Sequence, residues 1–487
     1  MGTRSGKQYT KGIEDSREVW LAGERVANVA THPALEGSVR SIANLFDRQL
    51  DPAHEAALTY EEPGTGERCP IAYRPPSDPA DLVARRHAFK SQADATYGLM
   101  GRSPDFVATA VTAFATAADY FGQVEPDFAH HIRRYYEYCR SQDLFLAHAT
   151  INPSTDRSKT SSEGENVHTH LRVSGRSSEG LRVSGAKLIS TLAPIADELV
   201  IFPLPGYREG DEEFTAAFAV PIATEGLRLV CREPFGGAHG RDPFDHPLAG
   251  FDEIDATCVF DNVFVPWERV FFYGDVSLAN RLYDATTARH HTGHHGITRG
   301  VAKAELLVGV AVALAESANA ARFLHVQEML GELIGYLELA KGIVLQAEAD
   351  ATDSAWGTLT PSMRAIQAAR YHFPRMYARM VEVVQLIGAG GLLSTPTSAD
   401  LAGGPEQLEP LFRAADGSSG RDRVAMLKLA WDITGDGIGQ RQLQYERYHS
   451  GDPVRLAAQE YLHFDLAPLR ALVSGILRPA TRGGEPA

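Results

Sequence analysis

The sequence predicts a mainly helical protein with a compact β unit between two helical regions. Ala-rich segments with apolar residues three and four positions apart predict helices up to about residue 150 and again from 279 onward. Between them, from 151 to 278, short runs rich in Val, Phe and Ile are separated by turn residues. This order of elements is not that of a doubly wound α/β protein. We therefore expect three domains, 1–150, 151–278 and 279–487.

Two helical segments of the first region meet at Gly101, and the second segment begins with Ser-Pro-Asp. Ser103 is a good N-cap, Pro104 suits the first helical position, and Asp105 complements the positive end of the helix dipole. Such a start holds Arg102 beside free backbone N–H groups, where a negative charge is stabilised. The pattern indicates either an anion-binding site or an ordinary surface helix start with a solvated arginine.

The middle region is predicted to be a small antiparallel barrel or sandwich. The pentapeptide LRVSG occurs at 171–175 and again at 181–185 with a Gly/Ser turn between the copies, which predicts a β-hairpin. Further strand-like runs follow in the order ELVIFPL, TAAFAVPI, LRLVCREP and ATCVFDNVFVPWERVFF.

Long helical patterns return after about Leu282 and predict a bundle. We expect Pro374 to kink or interrupt the third of them. The patterns are VAKAELLVGVAVALAE, FLHVQEMLGELIGYLELAKGIVLQAEAD, PSMRAIQAARYHFPRMYARMVEVVQLIG and GRDRVAMLKLAWDITG.

Composition excludes several classes of function. The 487 residues are 44% hydrophobic and 22% charged, as in an ordinary globular protein with a large core. A formal net charge of −15 and the lack of a basic run disfavour binding to nucleic acid or to an anionic membrane. The longest apolar stretch, Leu306 to Ala315, is too short to span a bilayer, and the polar N-terminus is not a secretory signal. We expect a cytoplasmic enzyme.

Neither a cysteine-based metal-ligand motif nor a dinucleotide fingerprint is present in the sequence. The four cysteines have no CxxC spacing. LIGAGGLL at 386–393 follows a helix rather than a strand, and GDGIGQ at 435–440 lacks the spacing of the fingerprint. Any nucleotide-like cofactor must therefore be held in another way. The turn-like segments ISTLAP and YHSGDP offer hydroxyls and free amides for this, although many surface turns look the same.

Histidines supply two further candidates. His148 ends an apolar run and is either structural or a neutral imidazole that accepts a proton near neutral pH. The motif RHHTGHHGITR has a spacing that pairs histidines on a helix, yet its Gly293 weakens the helix and no Cys or carboxylate stands close by. A metal site, a histidine facing a cofactor or substrate, and structural histidines all remain open here. The four residues concerned are His290, His291, His294 and His295.

Taken together, these stretches resemble the 4-hydroxyphenylacetate 3-hydroxylase family, the oxygenase components of two-component flavin monooxygenases. The resemblance implies an acyl-CoA dehydrogenase-like fold, with an N-terminal helical domain, an antiparallel β-barrel or sandwich and a C-terminal four-helix bundle, in a homotetramer. It also implies a separate NAD(P)H-dependent flavin reductase that supplies FADH₂, or FMNH₂, with O₂ as co-substrate. The matching stretches run in one order over nearly the whole chain: SGKQYTKGIEDSREVWLAGERVANVATHP, GRSPDF, ISTLAPIADEL, CREP, FDEIDATCVFDNVFVPWERVFFYGD, FLHVQEMLGELIGYLE and QYERYHSGDPVR.

The reaction implied by the resemblance is hydroxylation of a phenol, ortho to its hydroxyl group, through a C4a-hydroperoxyflavin. Arg102 and His148 are the implied catalytic residues: the arginine stabilises the phenolate, and the histidine takes or shares its proton. Phe106, Pro203 and Leu204 are implied to bind the substrate with them. Phe106 stands where the family often has Tyr, so the identity of the phenol, free or carrier-bound, stays open.

The flavin-binding residues are likewise implied only by the resemblance. They fall in a loop after the first region, in ISTLAP and in the SGDP turn. Gly390 and Gly391 of LIGAGGLL are weaker candidates, and one histidine of RHHTGHHGITR is expected near the flavin. The main candidates are Ser154, Thr155, Asp156, Thr191, Ser450, Gly451, Asp452 and Pro453.

Three alternatives compete with this interpretation. A 4-hydroxybutyryl-CoA dehydratase of the same fold needs an iron–sulfur cluster held by three Cys and one His. This chain has no Cys between Cys69 and Cys139 and none after Cys258. An acyl-CoA dehydrogenase-like enzyme with a non-phenolic substrate needs a catalytic carboxylate, which no motif identifies. A non-catalytic metal-binding scaffold predicts no flavin-dependent oxygen consumption.

Overall fold

The computed structural model describes residues 2–153, 155–236, 242–404 and 407–477. Helices dominate the first region, with short strands between them. The helices are α1 Gly6–Gly12, α2 Glu36–Arg48, α3 Glu55–Leu58, α4 Pro79–Ala95, α5 Pro104–Thr116, α6 Ala118–Phe121 and α7 Pro126–Gln142. The strands are β1 Glu18–Leu21, β2 Glu24–Arg25, β3 Thr59–Glu61, β4 Arg68–Pro70 and β5 Leu146–Ala149.

The middle region is built from strands, as predicted. Its elements are α8 Asn166–Thr169, β6 Arg172–Arg176, β7 Gly180–Thr191, β8 Glu198–Ile201, β9 Ala217–Pro221, β10 Leu227–Cys231, β11 Asp255–Pro266 and β12 Val270–Phe272. The repeated LRVSG pentapeptides form the predicted hairpin, in which Val173 of β6 lies opposite Val183 of β7.

Two sheets form the β unit, and strands from the first region complete both of them. One sheet has the order β2-β1-β10-β11-β7-β6, and the other has the order β12-β9-β8-β5. The β1–β10 and β5–β8 pairs are parallel, whereas the sequence predicts an antiparallel unit. β5 is an edge strand of its sheet, yet Leu146 and Ala147 are both nearly inaccessible, as in a strand covered on both faces.

The domain limits at 150 and 278 stay a prediction, because packing does not follow them closely. One continuous apolar core includes Phe114 of α5, Leu199 of β8 and Leu282, which lies beyond the β unit. The first region and the β unit therefore share their interior, and a site between them is rigidly framed.

The third region forms the predicted helical bundle. Helices α10, α11, α12 and α14 pack around an apolar core that includes Leu307, Leu333 and Val384. The region consists of α9 Val276–Ala285, α10 Ala288–Ser317, α11 Leu324–Ala349, β13 Thr352–Asp353, β14 Leu359–Thr360, α12 Met363–Gly388, α13 Ser398–Gly403, α14 Gly420–Thr434, α15 Gly437–Tyr448, α16 Pro453–His463 and α17 Ala467–Leu477.

Pro374 does not interrupt α12, which continues from Met363 to Gly388. Packing against the neighbouring helices α10, α11, α14, α15 and α16 offsets the hydrogen bond that a proline removes. In the described part of the chain, the segment Met363–Leu393 is long and apolar enough to cross a membrane by length and composition alone. Part of this segment is buried in the bundle, including Met380, Val383 and Val384.

The link between α4 and α5 lies directly against α10 and thereby fixes the position of Arg102. Gly98 has a φ of +69°, and a Cβ there would lie 2.5 Å from the backbone nitrogen of Lys303. A glycine is required by both the left-handed conformation and the close approach. The start of α5 is thus attached to the bundle.

Replacing Gly98 with alanine is expected to destabilise the protein by about 2 kcal/mol, because it adds backbone strain and a clash. Gly309 on the exposed side of α10 has no atom within 4 Å of an added Cβ, and it is the matched control. Gly309→Ala is expected to stabilise by about 0.5–1 kcal/mol through helix propensity. Urea unfolding followed by circular dichroism measures both, and equal midpoints for the two variants would contradict the close packing at Gly98.

Candidate active site

Arg102 is held at the start of α5 by contacts to two distant segments. Its backbone N–H donates to Glu253 Oε1 at 2.8 Å, and its Nη1 donates to the hydroxyl of Tyr445 at 2.5 Å. Glu253 is anchored in turn by Arg441, at 2.6 Å. A Cβ on Gly101 would lie 2.1 Å from the Tyr445 hydroxyl, so only glycine fits there. The arginine is therefore positioned by the fold and is not a freely solvated side chain.

The first turn of α5 follows the predicted capping pattern in position but not in hydrogen bonding. Ser103 is the N-cap, yet its hydroxyl donates to Asp105 Oδ1 at 2.5 Å and makes no capping bond. Asp105 lies 3.1 Å from Nε2 of His295 on α10. Burial raises the pKa of Asp105, but His295 and the Ser103 hydroxyl outweigh it and lower that pKa. The carboxylate therefore ties α5 to the bundle.

Aromatic rings connect Arg102 to His148. The Arg102 guanidinium lies over the ring of Phe106, 4.2 Å from its centroid. The Phe106 ring is 5.7 Å from that of His148, which stacks on Phe202 at 6.1 Å. Phe202 stacks on Tyr283 at 5.2 Å. Three of the predicted substrate residues are thus brought together from two segments: Arg102 and Phe106 from the start of α5, and His148 from β5.

His148 carries an unsatisfied polar atom. Its Nδ1 is buried and has no hydrogen-bond partner among the described residues. Burial, and then the positive charge of Arg102, lower the pKa of His148 to about 3. The imidazole is therefore neutral at pH 7 and has a ring nitrogen available to a ligand.

A cavity of about 100 Å³ borders Arg102 and Phe106. On α10 its wall includes Gly293 and Gly296 beside Arg289, Thr292 and Ile297, and an added Cβ on Gly296 would meet no atom within 4 Å. Ser450 borders the cavity from the end of α15. Flat apolar walls beside a cation suit an aromatic ligand with anionic character, such as a flavin or a phenolate.

The SGDP turn and Thr191 lie in different parts of the fold: the turn joins α15 to α16, and Thr191 ends β7. Gly451 adopts a φ of +119°, and Asp452 caps α16 by accepting a hydrogen bond from the backbone of Arg455 at 2.9 Å. Pro453 takes the first position of that helix. The hydroxyl of Thr191 donates to Asp255 at 2.6 Å. Among the predicted flavin residues that the structure describes, Ser450 is the one that borders the cavity.

The loop after β5 is held by side chains within itself. Thr155 and Thr169 share a hydrogen bond of 3.0 Å, and Asn166 accepts from the backbone of Asp156 at 3.1 Å. Ser154 lies outside the described residues. These contacts give Thr155 and Asp156 no place on the cavity wall, so their flavin role stays a prediction.

The remaining predicted residues lie close to the aromatic cluster or to the bundle. Pro203 and Leu204 directly follow Phe202, and Leu204 packs on the apolar core. Gly390 and Gly391 belong to the 3₁₀ turn after α12. Neither pair borders the cavity.

Helix α10 continues through Gly293, and three of its four clustered histidines have hydrogen-bond or ion-pair partners. His290 contacts the carbonyl of Pro361 at 3.0 Å, and His294 contacts Glu348 at 2.9 Å. His295 is paired with Asp105 as described, and burial lowers the pKa of the fully enclosed His291 far below its usual range. None of the four histidines borders the cavity, and the expected place of one of them near the flavin stays a prediction.

Sequence reasoning missed Tyr445 of α15 and His449, which lies one helical turn further on and is the C-cap of that helix. Their rings stack in parallel with centroids 4.6 Å apart, and His449 borders the cavity. Burial lowers the pKa of His449 to about 3, although Glu446 opposes the shift. The i, i+4 spacing of an aromatic residue and a histidine just before the SGDP turn was the signal that could have found them.

Comparisons with known proteins assign nearly the whole chain to one family. The N-terminal domain of the 4-hydroxyphenylacetate 3-hydroxylase family matches residues 5–272, and its C-terminal domain matches residues 279–478. The chain belongs to the 4-hydroxyphenylacetate 3-hydroxylase family. A curated member, the 4-hydroxyphenylacetate 3-monooxygenase oxygenase component of Thermus thermophilus, is 39% identical over 98% of both chains.

Solved structures of the 4-hydroxyphenylacetate 3-hydroxylase family superimpose closely on this chain. A 4-hydroxyphenylacetate 3-monooxygenase oxygenase component complexed with FAD and 4-hydroxyphenylacetate has a TM-score of 0.93 and 40% identity, over 98% of each chain. A 4-hydroxybutyryl-CoA dehydratase from N. maritimus, with a TM-score of 0.89 and 19% identity over 99% of this chain and 97% of its own, shares the fold alone. The predicted family and acyl-CoA dehydrogenase-like fold are confirmed.

Membership of this family also confirms the predicted enzyme class. The chain is the oxygenase component of a two-component flavin-dependent monooxygenase that acts on a phenolic substrate, with FAD as cofactor and O₂ as co-substrate. A separate reductase is its partner. The alternative of a non-phenolic acyl-CoA dehydrogenase-like reaction is not favoured.

The low pKa of His148 predicts a pH-dependent stability. Below about pH 6.5 the unfolded chain binds a proton at this imidazole, whereas the folded chain does so only near a pKa of about 3. Folding stability therefore falls as the pH drops from about 6.5 towards 3. In His148→Gln, up to one proton fewer is taken up on unfolding. The free energy of unfolding is therefore expected to fall less steeply as the pH is lowered.

Thermal unfolding between pH 7 and pH 5 measures this slope. His325→Gln on the exposed side of α11 is the control and is expected to keep the wild-type slope. A wild-type slope in His148→Gln as well would show that the imidazole is not held neutral by the fold.

Proposed function

We propose that this chain hydroxylates a phenol beside its hydroxyl group, with the phenol oxygen held between Arg102 and His148. The observation that carries the proposal is the approach of a positioned cation to a neutral imidazole with an unsatisfied nitrogen, across the ring of Phe106. The related oxygenase component complexed with FAD and 4-hydroxyphenylacetate supports a phenolic acid of that kind as substrate.

Arg102 and His148 have different proposed roles toward the phenol, one in stabilising its charge and the other in accepting its proton. The guanidinium stabilises the phenolate, and ionisation makes the ortho carbon more electron-rich. His148 accepts the phenol proton or shares it through a hydrogen bond. Its pKa is low in the empty site because of burial and Arg102, and a phenolate beside it favours the protonated form again.

Aromatic side chains are proposed to orient the substrate ring and to exclude water. Phe106, Phe202 and Tyr283 form a connected cluster around His148. Tyr283 is itself fixed by a hydrogen bond of 2.6 Å with the hydroxyl of Thr292 on α10. A dry aromatic pocket strengthens the Arg102 contact and protects the reaction from hydrolytic loss.

The flavin is proposed to bind beside this cluster. Bound reduced flavin supplies the electron pair that activates O₂, so that one oxygen atom enters the phenol ring and the other leaves as water. Ser450, Gly451, Asp452 and Pro453 are proposed to hold it together with Thr191. Gly296 supports the assignment, since its open side leaves the cavity wall free of a side chain.

We also propose that the chain works in the cytoplasm as a homotetramer with an NAD(P)H-dependent flavin reductase, away from membranes and nucleic acid. Exposed apolar side chains support self-association: Leu324 at the start of α11 is 81% exposed, and Ile476 on α17 is 78% exposed. A second copy of the chain would cover such surfaces.

Self-association is tested by light scattering on the purified chain. The expected mass is four times 52.9 kDa, and Leu472→Glu on the exposed face of α17 is expected to lower it. Leu50→Glu, at an exposed leucine of the first region, is the matched control and is expected to keep the wild-type mass. A monomer at micromolar concentration would contradict the tetramer.

The reaction is tested with chemically reduced FAD, O₂ and a set of phenols, with catechol product and H₂O₂ both quantified. Arg102→Met is expected to lower the catechol yield by about 100-fold or more, since it removes the charge that stabilises the phenolate. Arg134→Gln, at an exposed arginine of α7, is the control. Catechol formation in Arg102→Met within about threefold of wild type would overturn the role of Arg102; absence of hydroxylation by the wild type with every phenol would overturn the function.

A further inference from the structure

Arg370 on α12 is a partly buried cation whose hydrogen bonds go to neutral groups. Its Nη1 donates to Gln367 Oε1 at 2.7 Å, and its Nη2 donates to the backbone carbonyl of Ser450. No carboxylate lies within ion-pair distance of it among the described residues. Burial, and then the neighbouring Arg289, lower its pKa to about 10, so the guanidinium still carries its charge at pH 7.

Arg370 stands where two cavities meet. It borders the 100 Å³ cavity that Arg102 lines, and it also borders a second cavity of about 360 Å³. Arg289 borders both cavities as well. The two arginines thus present positive charge to the interior from α12 and α10.

The surrounding charges leave this junction positive. Arg289 is paired with Asp284 and lies over the ring of Tyr283. In the second cavity, the wall adds Arg364, which lies over Phe464. The titratable and charged groups of that wall are Arg289, Arg364, Arg370, His463, Asp284 and Glu460. Three cations therefore face two carboxylates, with His463 beside them.

We propose that Arg370, assisted by Arg289, is an anion subsite that binds an oxyanion group of a ligand, either the carboxylate of a phenolic acid or a phosphate of the flavin. A guanidinium has five N–H donors, and Gln367 and the Ser450 carbonyl use two of those of Arg370, so three remain for either oxyanion. Partial burial strengthens the attraction. The inference rests on the proposed function for the identity of the ligand. A phenolic acid has an oxygen at each end, and Arg102 and Arg370 border one cavity.

The subsite is tested by comparing ligands that differ only in the anionic group. The probes are 4-hydroxyphenylacetate against 4-methylphenol by calorimetry, and oxidised FAD against riboflavin by fluorescence quenching. Each Kd is measured on wild type, Arg370→Gln and Arg370→Lys. Arg375→Gln is the matched control, because Arg375 is an exposed arginine of the same helix.

Arg370→Gln is expected to weaken one anionic ligand by about 10-fold or more relative to its neutral partner. Arg370→Lys is expected to recover part of the loss, and Arg375→Gln is expected to lose nothing. A selective loss of 4-hydroxyphenylacetate identifies the substrate carboxylate, and a selective loss of FAD identifies the flavin phosphate. Equal changes within both pairs, or none, overturn the subsite, because an arginine that only supports the Ser450 turn cannot distinguish ligand charge.

The subsite and the proposed function fail under different results. If Arg370→Gln does not fold, Arg289→Gln and Arg370→Lys are expected to show the same selective loss, and its absence in both overturns the proposal. If wild type hydroxylates no phenol but its variants lose FAD selectively, the proposed function fails and the subsite stands. If wild type hydroxylates phenols and no variant discriminates charge, the function stands and the subsite fails.

Discussion

A buried ion triad beneath the cavity holds together the segments on which the site depends. Glu446 of α15 accepts from Arg299 at 2.8 Å and from Lys303 at 2.6 Å, and all three side chains are almost fully buried. Burial raises the pKa of Glu446, but the two cations outweigh it and hold that pKa far below its usual range. Removing one partner from such a group leaves an uncompensated buried charge, at a cost of about 3–5 kcal/mol.

The triad also reaches the chain just before Arg102. Arg299 donates to the carbonyl of Gly98, and Gln442, which accepts from Lys303, donates to the carbonyl of Leu99. Three segments, the α4–α5 link, α10 and α15, are therefore joined through charged groups in a dry interior. This arrangement also fixes the position of Tyr445, which lies next to Glu446 in the sequence and contacts Arg102. Arg102 is therefore positioned by Tyr445 and by the α4–α5 link, both of which the triad holds in place.

Local sequence patterns predict the outline of the fold, but they do not predict which distant segments pair with one another. The hairpin and the bundle helices carry their own period, so the sequence alone predicts them. The four-residue strands β1 and β5 do not, because each is stabilised by a distant strand. Arg102 was identifiable from the start of its helix and from the family resemblance. Its partners Glu253 and Tyr445 were not, since they lie 151 and 343 residues away. Similarly, the spacing of the α10 histidines predicts which face of the helix each one lies on. It does not predict that His294 pairs with Glu348 and His295 with Asp105.

The parallel pairing of β1 with β10 has a consequence for how the chain is made. Glu18 lies opposite Arg228, so the first strand is synthesised about 210 residues before the strand that pairs with it. Until then the apolar side chains of Val19 and Leu21, buried in the finished sheet, have no native cover on that edge. Contacts this far apart in sequence form late and slowly. During translation the apolar residues of the N-terminal strand therefore stay exposed for a long time. Chaperones that bind short apolar stretches have the most time to bind this segment.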